Sequence, residues 1–298
     1  MSPLASVSAG TGELREAFEH GRVCALAAQG QRDLQRCMTE QADLFGAEPF
    51  DAALASSIAL TMAFSAPWCD AAELRLANRS VLWCFALDWQ VDHEMGSAVD
   101  LDLLVRRQRA VADGGSAEPD DPLGRFLAEL RVELAAGPAF ATMHGVWRDA
   151  VDRTLVAMRR EWHWRADAHR PGLDEYLANA DNLASTMVNV THWAGVGGPQ
   201  AHALLDRLVA ASDAVQRALR LVNDLASYER DLRWGDLNAL MLVEDRSVVD
   251  QELADQVRQA TGLIDELRPD VPREAAYLTR QLGYASGFYR FTDFWGIV

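Results

Sequence analysis

Apolar residues recur at three- and four-residue intervals along nearly the whole chain, the period of amphipathic helices. Alternating β-type runs closed by Asn-Gly or Asp-Gly turns are missing. The periodicity predicts helices over roughly 13–29, 31–45, 51–65, 70–95, 100–112, 122–135, 138–167, 173–194, 199–232, 236–245, 248–267 and 271–294. The breaks carry turn punctuation such as "SAPWCD", "DGGSAEPDDPLG", "AHRPGL" and "GVGGPQ", where Gly, Pro and Asp favour loops. None is long or polar enough for an interdomain linker, and no solenoid-length repeat occurs. The expectation is one all-α domain over residues 1–298, built from about a dozen helices, with roughly residues 1–12 disordered.

Within that helical pattern, "NDLASYERD" places Asn223, Ser227 and Asp231 at four-residue spacing. On a helix such positions form one stripe. All three side chains carry oxygen, the donor that a hard cation such as Mg²⁺ prefers. The same spacing also suits a polar stripe on a solvated surface helix.

A second pair lies upstream in "VLWCFALDWQVDHEMG", where Asp88 and Asp92 end a very apolar run. Aspartate is a poor residue inside a helix, and burying its charge is costly unless a cation or donors compensate. Either a metal or a helix end emerging into solvent explains the pair. If the two helices face each other, as in bundles that build metal sites from facing side chains, their oxygens share one mouth. One turn deeper lie Val81, Cys84 and Phe85 on one helix and Gln216 and Leu219 on the other. A metal-lined rim over an apolar pocket suits an amphiphile with an anionic head, hence a prenyl diphosphate.

Charge and composition narrow the field. The chain is 49% hydrophobic with a net charge of −16, which argues against nucleic acid, where a basic stripe is expected, and against an anionic membrane surface. No lysine occurs, so all 28 basic residues are arginine. This excludes Schiff-base and phosphate-loop lysines. Cys24, Cys37, Cys69 and Cys84 are scattered without a CxxC pair, so neither a zinc site nor a disulfide framework is indicated. There is no secretory signal pattern at the start and no run of the roughly 18 apolar residues that span a bilayer. The expectation is a cytoplasmic protein.

The two motifs together resemble a known family. "NDLASYERDLRWGDLNALMLV" resembles the metal-binding NSE motif of class I terpene synthases, and "CFALDWQVDHE" resembles their aspartate-rich motif. "REWHWRADAHRPGLDEYL" and "DDPLGRFLAEL" are similar to intervening segments in the same order. The likeness covers about residues 60–245 and is strongest to bacterial labdane-related diterpene synthases of the biformene synthase type. It implies an all-α bundle around an apolar active-site cavity. It also implies three Mg²⁺ with diphosphate bound, held by Asp88, with Asp92 assisting, and by Asn223, Ser227 and Asp231. Asp88 and Asn223 would be essential to catalysis, and Arg230, Arg220 and Arg290 would bind diphosphate. Candidate cavity walls are Val81, Cys84, Phe85, Leu219, Phe64, Trp68, Trp193, Phe288 and Trp295. His93 and His192 are expected to be structural.

The pattern departs from the family in four places. Trp89 stands where a second aspartate is usual, and Asp231 where glutamate is commoner. "YLANADNLAST" lacks the arginine that usually follows the Tyr-Leu start. Arg290–Phe291 stands for the C-terminal Arg-Tyr pair. The implied reaction is ionisation of an allylic diphosphate, of copalyl diphosphate supplied by a separate class II cyclase or, alternatively, of farnesyl diphosphate. The absence of a DxDD run argues against class II chemistry in this chain. A squalene- or phytoene-synthase-like condensing enzyme and a non-catalytic lipid-binding bundle are the rivals. A homodimer stays open.

Overall fold

The computed structural model describes residues 12–296; the disorder expected before Gly12 lies outside the described residues. Within them there are twelve α-helices and no strand. These are α1 (Glu13–Glu40), α2 (Ala52–Ser65), α3 (Ala71–Trp89), α4 (Ala98–Ala112), α5 (Pro122–Ala135) and α6 (Phe140–Ala166), followed by α7 (Leu173–Leu177), α8 (Ser185–Val196), α9 (Pro199–Ala203), α10 (Leu205–Trp234), α11 (Arg246–Leu267) and α12 (Pro272–Phe288). Among the described residues no helix is long and apolar enough to cross a membrane.

Local chemistry sets the helix that carries the aspartates. Asp70 opens α3 with a reciprocal capping box: it accepts from the Glu73 amide at 2.9 Å, and Glu73 accepts from the Asp70 amide at 2.8 Å. This satisfies two amides that the first turn leaves orphaned. Leu82, Trp83, Ala86 and Leu87 then anchor the helix in the core. Its last turn loosens into a π-helical turn over Gln90–Glu94, a feature that inserts a residue and re-aims side chains.

Several boundaries differ from the periodic expectation. The helix expected over 199–232 is split at Leu204 into α9 and α10, and those expected to reach 45 and 294 end at Glu40 and Phe288. Three further differences have a physical reason. The break expected at Gly30 is absent, and α1 runs straight through it. A side chain at Gly30 would come within 2.9 Å of Asn78 Nδ2 on α3, so the glycine serves close helix approach rather than a turn. The helix expected over 173–194 is broken instead by a 3₁₀ turn, Ala180–Leu183, and by Ala184 in the left-handed region at φ 59°. Side-chain hydrogen bonds hold that break. Gln216 accepts from the Thr186 amide at 2.9 Å and donates to Asp181 at 2.9 Å. Finally, the chain after α10 turns on Gly235, at φ 79°, and forms only a 3₁₀ turn over Ala239–Met241 where a longer helix is expected.

The helices pack on one large apolar core, with a smaller cluster of Trp164, Tyr176, Leu177, Leu221, Ala239 and Val249 beneath the α6–α7 and α10–α11 connections. Helices α2, α3, α6, α8, α10 and α12 surround a cavity of about 230 Å³.

Candidate active site

The cavity opens where α3 ends and α10 approaches its own end. Asp88 and Asp92 line the mouth from one side, and Asn223 and Asp231 line it from the other. Ser227 is buried next to Asp231, with its Oγ donating to Asp231 Oδ2 at 2.6 Å. Val81, Cys84 and Phe85 on α3 and Leu219 on α10 line the wall below, with Phe294 and Trp295 from the C-terminal segment. Phe85 meets Trp295 edge-on at 5.1 Å and Phe294 at 5.4 Å between ring centroids, so the three rings form one aromatic panel. Trp89, one residue past Asp88, turns about 100° round the helix into a cluster with Phe50 and Trp295. An aspartate there would face rings rather than the mouth.

Several expected residues lie elsewhere. Trp68 and Trp193 border a separate small cavity with His192 and Tyr277. Trp193 is five residues beyond the lining Val188, about 140° round α8. Phe64 stacks on Tyr284 at 5.3 Å rather than facing the cavity. Phe288 sits behind Phe294, at 4.9 Å. Gln216 is engaged in holding the α7–α8 break. Arg290 is exposed just past α12 and does not line the cavity.

Arg220 and Arg230 both line it. Arg220 is buried, its guanidinium 3.9 Å above the Tyr176 ring and its Nη2 donating to Glu161 at 2.8 Å. Its Nε has no partner. Burial opposes its charge, but Glu161, Tyr176 and Asp224 keep its pKa raised. Arg230 donates to Asp231 at 2.9 Å and pairs with the buried Asp293. His93 lies at the mouth, edge-on to Trp234 at 4.9 Å.

Four contributors were not singled out by sequence reasoning. Glu161 and Arg165 come from the end of α6, Tyr176 from α7 and Asp236 from the turn after Gly235. Arg165 bridges Asp92 and Asp236. The Tyr176 hydroxyl donates to Asp224 at 2.9 Å. Asn238, present in the quoted NSE tail, donates to Asp231 Oδ2 at 2.8 Å. Only the charged residues flanking the Trp-rich helix end hinted at the first two. The ion-pair partners of those two, Arg220 for Glu161 and Asp92 and Asp236 for Arg165, are more than fifty residues away, beyond the reach of spacing.

The mouth carries excess negative charge. Burial first, then Asp236, pushes Asp88 up to about 7. Burial and Asp88 hold Asp92 well above the usual carboxylate range. Burial likewise raises Asp236. Carboxylates crowded this way call for cations. Among the described residues, no three His, Cys, Asp or Glu side chains converge as a preformed metal cage. The oxygens at the mouth are instead split between two sides, the Asp88 and Asp92 carboxylates facing the Asn223 amide and the Asp231 carboxylate, with the Ser227 hydroxyl buried against Asp231. That is an all-oxygen set suited to Mg²⁺, which keeps few protein ligands and completes its shell with water and substrate phosphates.

Comparison with known proteins agrees with this geometry. Residues 79–266, which contain both motifs, match the family described as terpene synthase family 2, C-terminal metal binding. The chain is 30% identical over 276 residues to ent-pimara-9(11),15-diene synthase of Streptomyces sp. (strain KO-3988), covering 89% of this chain and 90% of that protein. A 142-residue stretch is 28% identical to the chloroplastic ent-kaurene synthase of Marrubium vulgare, covering 46% of this chain and 18% of that protein. The fold is similar to that of 2-methylisoborneol synthase from Streptomyces coelicolor A3(2) in complex with Mg²⁺ and 2-fluoroneryl diphosphate. There the TM-score is 0.67 at 17% identity, over 92% of this chain and 91% of that one. It is similar also to linalool/nerolidol synthase from Streptomyces clavuligerus, with a TM-score of 0.68 at 15% identity, over 89% and 95% of the two chains. With the family match spanning both motifs and a relative aligned along almost its full length, the chain belongs to the terpene synthases and is an enzyme of class I.

Proposed function

We propose that this enzyme is a diterpene synthase that ionises the allylic diphosphate of a bicyclic copalyl diphosphate and converts the resulting carbocation to a diterpene olefin. The observation that supports this most is the meeting of two oxygen-bearing helix faces, around Asp88 and Asn223, over one apolar cavity. The choice of a diterpene substrate rests on the Streptomyces ent-pimara-9(11),15-diene synthase. No DxDD run occurs in this chain, so the bicyclic substrate is assigned to a separate class II cyclase.

Asp88 would hold Mg²⁺ from α3, and Asn223, Ser227 and Asp231 would hold it from α10. Bound Mg²⁺, with three ions expected, supplies positive charge that stabilises the departing diphosphate. Arg230 and Arg220 face the same space, and a planar guanidinium grips phosphate through two parallel hydrogen bonds. Tyr176 and Glu161 hold the Arg220 guanidinium at the cavity wall.

As the allylic C–O bond breaks, its electron pair leaves with the diphosphate and a carbocation remains in the cavity. The rings of Phe85, Phe294 and Trp295 offer their negative faces, worth about 0.5–2 kcal/mol each. Val81, Cys84 and Leu219 keep water away from the cation. A C–H proton then passes to the released diphosphate, and its electron pair closes the new double bond.

Incubating the purified protein and Mg²⁺ with farnesyl, geranylgeranyl and copalyl diphosphates, followed by hydrocarbon analysis, tests the proposal. An olefin from copalyl diphosphate is the expected result. An olefin from farnesyl diphosphate alone would replace the diterpene reading with a sesquiterpene one.

A further inference from the structure

Arg165 ends α6 with its guanidinium reaching two carboxylates on different elements. One fork end meets Asp92, in the π-helical turn that closes α3, and the other meets Asp236, just past the glycine that ends α10. The three side chains are mostly buried, with 18%, 24% and 19% of their surface exposed. The two turns they join are the ends of the two motif helices. Among the described contacts, this guanidinium is the one group bonded to both turns.

We propose that Arg165 is a positioning residue that clasps the two motif helices at the mouth, and that Asp92 serves this clasp while Asp88 alone carries the metal-binding role of its motif. The proposal rests on the reading of the mouth as a Mg²⁺–diphosphate site. The geometry of α3 supports the division of labour. Asp88 is on the regular helix, and among the described contacts no hydrogen bond or ion pair ties its side chain down. Asp92 lies beyond the point where the helix loosens, and its Oδ1 is taken by Arg165. A two-pronged guanidinium can span both carboxylates, whereas an ammonium is a single point. The clasp therefore fixes how far Asp88 sits from Asn223 and Asp231, which a split donor set requires.

The test measures Mg²⁺-dependent binding of inorganic diphosphate by calorimetry, with helicity checked by circular dichroism. Wild-type protein must bind first; if it does not, the metal–diphosphate reading fails, and this is distinguishable from failure of the clasp. Given wild-type binding, Arg165→Met and Arg165→Lys should each weaken it about tenfold. Asp92→Asn should weaken it to the same degree, and the Arg165→Met/Asp92→Asn pair should be no worse than either alone. Asp88→Asn should lose binding altogether. Tighter or unchanged binding by Arg165→Met, or loss in Asp92→Asn as complete as in Asp88→Asn, would show Asp92 to be a ligand that Arg165 merely occupies, and would overturn the clasp. Should Arg165→Met fail to give a helical protein, Asp92→Asn and Asp236→Asn decide: equal, non-additive losses support the clasp and additive losses overturn it.

Discussion

Asn238 donates its side-chain amide to Asp231 Oδ2 at 2.8 Å, and to the backbone carbonyl of Asp224 at 2.9 Å. Its own carbonyl oxygen accepts from the Leu240 amide at 3.0 Å. The residue is fully buried. It thus locks the turn after α10 onto the last carboxylate of the NSE stripe. Replacement by Ala takes one donor from Asp231 Oδ2, which keeps Ser227, one from the Asp224 carbonyl, and the acceptor of the half-buried Leu240 amide, at a cost of about 1–3 kcal/mol. Asn238→Ala should lower the melting temperature by several degrees and raise the Mg²⁺ concentration for half-maximal turnover about tenfold. Asn238→Asp, nearly the same shape, should be worse on both counts because it sets a second carboxylate against Asp231. A Mg²⁺ titration of all three proteins checks this, and an unchanged half-maximal concentration would remove Asn238 from the site.

Much of this arrangement was legible in the sequence, for a definite reason. Asn223, Ser227 and Asp231 sit on one long regular helix, so spacing alone put them on one face. Asp88 and Asp92 stood out as acids ending a very apolar run. The all-helical class followed from periodicity, although the matching total of twelve arises from one merger and two splits of the expected helices and the loss of the one over 236–245. Arg165, Glu161, Tyr176 and Asp236 escaped notice because their partners are brought to them by tertiary packing alone. Of the six aromatic walls expected, only Phe85 and Trp295 line the cavity, for a similar reason. Trp193 and Phe64 have the composition of a cavity lining, but their helical phase turns them into other contacts. Gly30 carried a turn signal, yet serves the approach of Asn78.

The panel of Phe85, Phe294 and Trp295 ties product outcome to the C-terminal segment. Trp295 also packs edge-on to Phe50 at 5.8 Å, so its loss opens the wall without collapsing α3. Trp295→Ala should reduce turnover about tenfold and divert product toward alcohols, as water reaches a cation no longer shielded. Phe291, four residues earlier and 81% exposed, is the control, and Phe291→Ala should leave the products unchanged. Gas chromatography of the extracts reads both. An identical product profile in Trp295→Ala would take the panel out of the reaction.

His192 gives the protein an acid limit unconnected with catalysis. Its ring is buried, stacks on Tyr277 at 4.7 Å and has no partner for Nδ1. Burial lowers its pKa to about 4, against about 6.5 in an unfolded chain. Between those values the unfolded state takes up a proton that the folded state refuses, so stability falls as pH drops from about 6.5 to 4. Above that window this histidine adds no pH dependence. The loss reaches at most about 3 kcal/mol. His192→Phe keeps the stacking and removes the titration, so its denaturant midpoint should fall less between pH 7.5 and pH 5 than that of wild type. An equal fall in both proteins would assign the acid limit to other groups.

Asp88 should trade stability for function in the opposite direction. Burial and the nearby Asp236 raise its pKa to about 7, so the folded state holds a proton that the unfolded chain has released. Its contribution is fully present below about pH 4, the unfolded value, and is lost as pH rises through 7. At pH 8 without metal, the ionised carboxylate therefore opposes folding. Its side chain keeps some surface open to the cavity, so the penalty is about 1–2 kcal/mol, below the ~4 that three pKa units imply in a sealed interior. Asp88→Asn removes that charge at constant shape. The metal-free variant should melt several degrees above wild type at pH 8, with the gap closing toward pH 5, while turnover is abolished. Mg²⁺ with inorganic diphosphate should raise the melting temperature of wild type and leave the variant unmoved, because stabilisation by a ligand follows its affinity for the folded state. A variant that is less stable than wild type at pH 8, or that still responds to Mg²⁺ and diphosphate, would mean that Asp88 is held by protein donors and is not the carboxylate that waits for metal.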